Sequence, residues 1–489
     1  MLEKLAKQTA IYGISTIVGR FLSYLLTPYY TRVFGQAEYG IITDIYALIP
    51  FALVVLTMGM ESGYFRFAAK ADAAGGDVEA AKKRLFSTVW GITSLAAVAF
   101  FVAVAALREP IARAMGEAYV AHPEYVVLVG AIVMFDVASC IPFSRLREQG
   151  RAGRFVTLKM LNIVLQTGLA FAFGAMGLFA TEFGVGWAFV ANLAASVITF
   201  ASILPTTNRT VPKIDWLLLA TVFSYSLPLL VSGVAGTANE FIDRQMIKYL
   251  VPENAMAQLG IYGAITKIAV VMMLFTQMYR LAAEPFFLAN YRKDDFKAMN
   301  AAALKYYIIA SMLIFLGIAL FKDLFALIVG RDFRQGIFIL PVVLGANVLS
   351  GVWLSLSFWY KREERTWLAI AVTFVGLIFT VLCNVALVPK YGYYGAAWAR
   401  LASEAAMVAV SYWLNRRYYP TPYPMARIVE YVAVALVVYG ASVAGERAIA
   451  QVAVHYVLNV VLVATYALYV VRREKIDVAA MVRSILRRG

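Results

Sequence analysis

The sequence predicts an all-α membrane protein: about fourteen transmembrane helices, in two six-helix lobes related as parallel repeats, plus two extra C-terminal helices. Three observations carry this reading. The 489 residues are 62% hydrophobic and only 15% charged, where a soluble domain carries roughly 25% charge. Apolar runs of about 20 residues, enough to cross ~30 Å of hydrocarbon as a helix, recur from end to end. They are continuous and not alternating, which excludes the strands of a barrel.

The spans fall near 9–30, 40–62, 85–106, 125–143, 155–178, 184–204, 216–240, 259–283, 301–321, 336–358, 367–388, 395–414, 428–445 and 453–471. The first is read as a retained span and not a signal peptide: it is too long, carries Arg20, and lacks a small-residue cleavage site. With the N-terminus inside, Lys and Arg in the inner segments outnumber those outside about threefold. The inner set includes Lys82, Lys83, Arg145, Arg147, Arg151 and Arg154, and the sparse outer set includes Arg32, Arg113 and Lys248. The net charge of +15 is therefore a topology signal and a cushion against anionic headgroups, not a nucleic-acid footprint. Both termini are expected on the cytoplasmic side.

Connecting segments are short. They hold no soluble domain, no phosphate-cradling glycine loop and no His/Cys metal spacing, so no catalytic residue, cofactor or metal is expected. Cys140 and Cys383 fall inside spans, which argues against a disulfide framework. His122, in an outer loop, and His455, at the start of the last span, read as surface or packing residues. The chemistry has to lie between helices.

Internal matches suggest duplication. "AEYGII" (37–42) opens the second span and "AQLGIY" (257–262) the eighth; "FGVGWAFVAN" (183–192) matches "YGAAWARLAS" (394–403), and in that register Arg151 and Arg154 fall on Arg362 and Arg365. The expected division is residues 1–210 (spans 1–6), 211–420 (spans 7–12) and 421–489 (the last two spans and a basic tail). Parallel repeats related by an axis along the membrane normal, with a site between them, are a transporter's architecture.

The spans carry charge that lipid rejects. In span 1, Thr9, Gly13, Thr16, Arg20, Ser23 and Thr27 share one helical face. A charge at the bilayer centre costs ~2.5–3.5 kcal/mol on insertion scales. Arg20 therefore either lines a wet cavity or pairs with a carboxylate such as Asp44 or Asp136. Span 8 places Arg280 and Glu284 on one face with Lys267 beside it, span 7 carries Asp243, and Arg400 and Glu404 are i, i+4 in span 12. Lys159 adds a further cation, and Pro28, Pro50, Pro142, Pro228, Pro285 and Pro341 sit where kinks shape cavities.

The stretch "KQTAIYGISTIVGRFLSYLLTPYYTRVFGQAEYGIITDIYALIPFALVVLTMGMESGYFRF" (7–67) resembles the amino-terminal block of bacterial polysaccharide transporters. These are the O-antigen-flippase-type members of the multidrug/oligosaccharidyl-lipid/polysaccharide (MOP) exporter superfamily. "NEFIDRQMIKYL" (239–250) and "QMYRLAAEPFF" (277–287) resemble that family's seventh and eighth spans. The resemblance implies a non-enzymatic flippase of the bacterial inner membrane. Its cargo would be undecaprenyl-diphosphate-linked oligosaccharide for O-antigen, capsule or exopolysaccharide export. Membrane lipid, the glycan carrier, H+ or Na+ as coupling ion and the polysaccharide polymerase machinery are the implied partners. Arg20, Arg66 and Arg280 occupy places comparable to cavity arginines of related lipid II flippases.

A diphosphate suits such a cavity, because Arg holds each phosphate through two parallel hydrogen bonds. The expected cavity cations are Arg20, Arg66, Lys159, Lys267, Arg280 and Arg400. The coupling or ion-pair candidates are Asp44, Glu61, Asp243, Glu284 and Glu404. A lipid II flippase or a multidrug exporter of the same superfamily are the alternatives, the latter calling for a cavity dominated by carboxylates. A membrane glycosyltransferase or polymerase would need a large catalytic outer loop, and the longest here, about 107–124, is short.

The charge bias makes a direct prediction. With single cysteines introduced at Glu182 and Arg151, only the former reacts with an impermeant reagent added outside; the reverse pattern overturns the topology.

Overall fold

The computed structural model describes residues 24–207, 210–289, 295–363, 365, 367–449 and 451–475. Helices account for nearly all of it, with no strand among the described residues. Eleven helices are long and apolar enough to cross a membrane, or twelve if one bent pair is a single span. The expected first span, 9–30, lies mostly outside the described residues.

The chain divides into two compact units, Met1–Gly263 and Ala264–Gly489. The first contains α1 (Leu26–Val33), α2 (Gln36–Thr57), α3 (Met60–Ala74), α4 (Val78–Ala106), the short α5 (Arg108–Met115) and α6 (Glu117–Val120), α7 (Glu124–Glu148), α8 (Ala152–Ala175), α9 (Gly186–Ile203), α10 (Trp216–Leu250) and the start of α11 (Ala255–Ile268). The second holds the end of α11, α12 (Val270–Ala289), α13 (Phe296–Ala319), the short α14 (Lys322–Ala326), α15 (Leu340–Arg362), α16 (Trp367–Tyr418), α17 (Met425–Ala448) and α18 (Val452–Arg473).

In the first unit, α10 belongs with the helices that precede it because the linker is stitched down. Ser87 Oγ, on α4, donates to the Val211 carbonyl at 2.9 Å and accepts the Lys213 N–H at 2.7 Å. Thr88 Oγ1 accepts the Asp215 N–H at 3.2 Å. Asp215 then caps α10, accepting the Leu217 and Leu218 amides at 3.1 Å each, which satisfies donors a helix start leaves open. The expected second span, 40–62, is longer than its apolar run suggested: the helix continues to Ala74 past a break where Met58 and Gly59 adopt φ of 52° and 67°. Gly59 is required there twice over, since a Cβ would also sit 2.7 Å from the Ser226 carbonyl of α10.

Among the described glycines the tightest approach to another backbone joins the two matched hexapeptides. A Cβ on Gly40 would lie 1.9 Å from the Met256 carbonyl, and one on Gly260 would lie 2.0 Å from the Gln36 carbonyl. The contact is reciprocal: each glycine faces the residue one turn before its counterpart. A Cβ on Gly263 would in turn strike Thr43. Lipid supplies no hydrophobic drive between helices, so close backbone packing at small residues is what associates them.

In the second unit, the expected single span 259–283 is a pair, Ala255–Ile268 and Val270–Glu284, bent by 49°. The expected spans 367–388 and 395–414 form one continuous run, α16, broken only at Gly392 with φ 56° and ψ −138°. Polar seams cross the bundle: Tyr360–Ser411 at 2.6 Å, Thr380–Ser403 at 2.9 Å and Tyr279–Ser355 at 2.9 Å. Each such bond contributes about 0.6 kcal/mol in a membrane, so the seams select register more than they stabilise. The last two spans are anchored on α13: Asn459 Nδ2 donates to the Leu320 carbonyl at 2.7 Å, and Glu474 accepts from both Lys305 and Tyr431.

Gly40→Ala or Gly260→Ala is expected to lower stability by about 1–3 kcal/mol through overpacking, read as a fall in detergent melting temperature. Gly168→Ala, where a Cβ meets nothing within 4 Å, is neutral or stabilising by up to ~1 kcal/mol.

Candidate functional site

A buried and fully coordinated charge in the first unit is Asp44. It sits one turn beyond Gly40 on α2 and is 1% exposed. Its Oδ2 accepts from Lys248 Nζ at 2.6 Å and from the Tyr119 hydroxyl at 2.6 Å, and its Oδ1 accepts from Gln245 Nε2 at 2.6 Å. The Lys248 ammonium also lies 4.7 Å from the Tyr119 ring centroid. Gln245 and Lys248 are three residues apart on α10 and so share a face, while Tyr119 is delivered by the short α6. Removing either charge from such a buried pair strands the other.

Two further clusters lie on α3, α4 and α7. Glu61 accepts from Arg147 Nη1 at 2.6 Å, with the Cys140 thiol 3.9 Å away. Lys82 bridges Glu148 at 2.6 Å and Asp72 at 2.8 Å. Arg66 is exposed, its guanidinium 4.1 Å from the Tyr225 ring centroid. Lys159 is exposed too, stacked 4.2 Å from the Phe143 ring and close enough to Asp136 to act on it electrostatically. Among the described residues neither Arg66 nor Lys159 has a carboxylate within ion-pair distance.

In the second unit, Arg280 Nε lies 3.4 Å from Glu284 Oε2, with the arginine side chain 61% exposed. This is the i, i+4 pairing their shared face suggested. Lys267, Arg400 and Glu404 are half-buried and each interacts with a neighbour; in the first unit Asp243 is buried and likewise engaged. Arg20 lies outside the described residues.

The sequence names Asp44 and Glu61 as coupling or ion-pair candidates but not the cations that the fold sets beside them. In sequence Lys248 and Arg147 read as topology charges, and Tyr119 belongs to the short outer loop 107–124. The i, i+3 spacing of Gln245 and Lys248 is the signal that was present. His122 is a surface residue, its Nδ1 2.9 Å from Glu124 Oε1 and its ring stacked on Tyr125. His455 packs inside, its Nε2 3.1 Å from Asn459 Nδ2. Among the described residues no group of three or more His, Cys, Asp or Glu could hold a metal.

Outside the spans, two carboxylates are held below their ordinary values. The Leu218 amide, followed by Arg84, lowers Asp215. Burial alone would raise Glu474, but Lys305, Tyr431 and Arg427 together hold it down. Both are structural anchors.

Asp44→Ala is expected to destabilise the fold by about 3–5 kcal/mol by leaving Lys248 buried and unpaired. The double variant Asp44→Ala/Lys248→Met recovers most of that loss in detergent melting temperature. Additive losses would show that the pair is not the stabilising unit.

Comparison with known proteins places this architecture. Over 406 residues, 82% of this chain and 81% of the relative, it is 21% identical to the "Probable low-salt glycan biosynthesis flippase Agl15" of Haloferax volcanii. Among solved structures it resembles the lipid II flippase MurJ in an inward closed conformation, with a TM-score of 0.77 at 13% identity over 96% of this chain and 100% of that one. An inward-facing multidrug resistance MATE family transporter of the MOP superfamily matches with a TM-score of 0.67 at 15% identity, over 82% of this chain and 94% of that one. The fold is thus that of MOP-superfamily transporters, and the molecule is a multi-pass membrane protein. The family described as "Polysaccharide biosynthesis protein" matches residues 5–288, more than half the chain, and this protein belongs to that family.

Proposed function

We propose that this protein is a flippase, not an enzyme, and that it carries a diphosphate-linked lipid oligosaccharide across the inner membrane of a bacterium for polysaccharide export. The observation that carries this is the charge balance along the spans. Asp44, Glu61 and Glu284 are each occupied by a cation, while Arg66 and Lys159 stand exposed on membrane-length helices without one. Cations left over in an apolar bundle suit an anionic head group, whose two phosphates Arg binds in bidentate fashion. Membership in a polysaccharide biosynthesis family and the likeness to a glycan flippase support the same cargo class.

The reading assigns residues 1–210 and 211–420 as lobes that rock in alternation, 421–489 as their appendage, and the termini to the cytoplasm. The reciprocal Gly40 and Gly260 contact supports an axis between the second and eighth spans. Arg20, Arg66, Lys159, Lys267, Arg280 and Arg400 are assigned to the cargo's head. Asp44, Glu61, Asp243, Glu284 and Glu404 are assigned to ion pairing or to H+ or Na+ coupling. An inside-negative potential itself helps an anion outward by roughly 2.3 kcal/mol per charge per 100 mV.

Deleting the gene should make lipid-linked glycan accumulate on the inner leaflet. Complementation with Arg20→Ala, Arg66→Ala or Arg280→Ala should give a folded, inserted protein whose transport is about tenfold lower or worse, since a hydrogen bond to a charged group contributes ~1.5–3 kcal/mol. Lys at these positions recovers only part, keeping charge but losing the fork. Normal glycan export in the deletion strain overturns the proposal.

A further inference from the structure

A cavity of about 730 Å³ opens in the first unit among the ends of α3, α4 and α7, and the transport reading makes no use of it. It lies where α4 begins at Val78 and α7 ends at Glu148, on the side that the positive-inside bias assigns to the cytoplasm. Four cations line it, Lys82, Lys83, Arg145 and Arg151, against two carboxylates, Glu79 and Glu148.

The carboxylates do not consume this charge. Glu148 takes Lys82 at 2.6 Å and the Tyr64 hydroxyl at 3.5 Å, so one cation of the four is spoken for. Arg145 is oriented by neutral groups: its Nη1 donates to the Thr207 carbonyl at 3.0 Å and its guanidinium rests 4.4 Å from the Phe86 ring centroid. Lys83 and Arg151 are exposed and, among the described residues, form no ion pair.

A second observation points to a ligand. Thr210 also lines the cavity, is only 7% exposed, and its hydroxyl has no hydrogen-bond partner among the described residues. Buried polar atoms are nearly always satisfied, so an orphan of this kind marks a place where a partner belongs. A hydroxyl, a positioned guanidinium and two exposed cations lining one cavity are the chemistry that receives phosphate oxygens.

We propose that this cavity binds the phosphate of an anionic lipid headgroup in the cytoplasmic leaflet. The source is lipid because helix ends on this side sit at headgroup depth, where anionic lipids hold a negative surface potential. A plain basic cushion would attract such lipids too, but without saturation and without preference for a phosphate monoester. The site does not depend on what the protein transports.

The test is calorimetric titration of the purified full chain with short-chain phosphatidic acid, with phosphatidylcholine of the same chain length and inorganic phosphate alongside. Saturable binding of phosphatidic acid is expected, with phosphatidylcholine silent and inorganic phosphate at least about tenfold weaker. Lys83→Ala/Arg151→Ala should weaken binding about tenfold or more at an unchanged melting temperature, because both side chains are exposed. Arg145→Gln and Thr210→Val should weaken it further, each checked for folding. Non-saturating attraction, equal affinity for phosphatidylcholine, inorganic phosphate binding as tightly as the lipid, or a double variant with wild-type affinity would each overturn the assignment.

Discussion

The backbone-to-backbone crossing at Gly40 and Gly260 is the constraint on which the rest of the first unit depends. Carbonyls of Gln36 and Met256 occupy the space where side chains would otherwise stand, so α2 and the start of α11 meet at the distance only glycine permits. In a bilayer, where lipid tails solvate a leucine as well as a neighbouring helix does, such approach is the available source of packing energy. It also sets register. One turn further along α2, Asp44 arrives opposite Gln245 and Lys248 of α10, and the orientation of two helices is then held by one buried carboxylate.

That carboxylate illustrates how the molecule tolerates charge. An ion buried in low dielectric is costly unless its partner and remaining lone pairs are supplied. Asp44 has three donors; Glu61 has Arg147 and a thiol; Glu148 has Lys82 and Tyr64. Each pairing is made between helices distant in sequence, so each also acts as a tie. Once the acids are used in this way, Arg66 and Lys159 remain without a carboxylate within ion-pair distance among the described residues, and the proposed function draws on that surplus.

Much of this was legible beforehand. Most described spans overlap the continuous apolar runs that predicted them, because a length of about 20 apolar residues has few alternatives in lipid. The pairing of Arg280 with Glu284 followed from helical spacing alone. The matched hexapeptides around Gly40 and Gly260 signalled a repeat, although nothing in either said that the two copies touch. Continuity was harder to read: the break at Met58 and Gly59 and the single bend at Gly392 depend on backbone angles, which hydropathy does not encode. At the expected boundary between 1–210 and 211–420, Ser87 and Thr88 bind residues 211–215 to α4, ties between residues far apart in the chain that no local pattern announces.

The sequence by itself determined the class, most of the spans and the excess of cations, because each of these follows from local composition against the bilayer's thickness and polarity. Tertiary structure alone decided which charges are spent and which remain. Lys248 and Arg147 read as topology markers until folding places them against Asp44 and Glu61, and Thr210 carries no signal until it is buried with no hydrogen-bond partner for its hydroxyl among the described residues. The physical reason is that burial, unlike insertion, depends on which helices meet, and that was settled by close contacts between residues far apart in the chain.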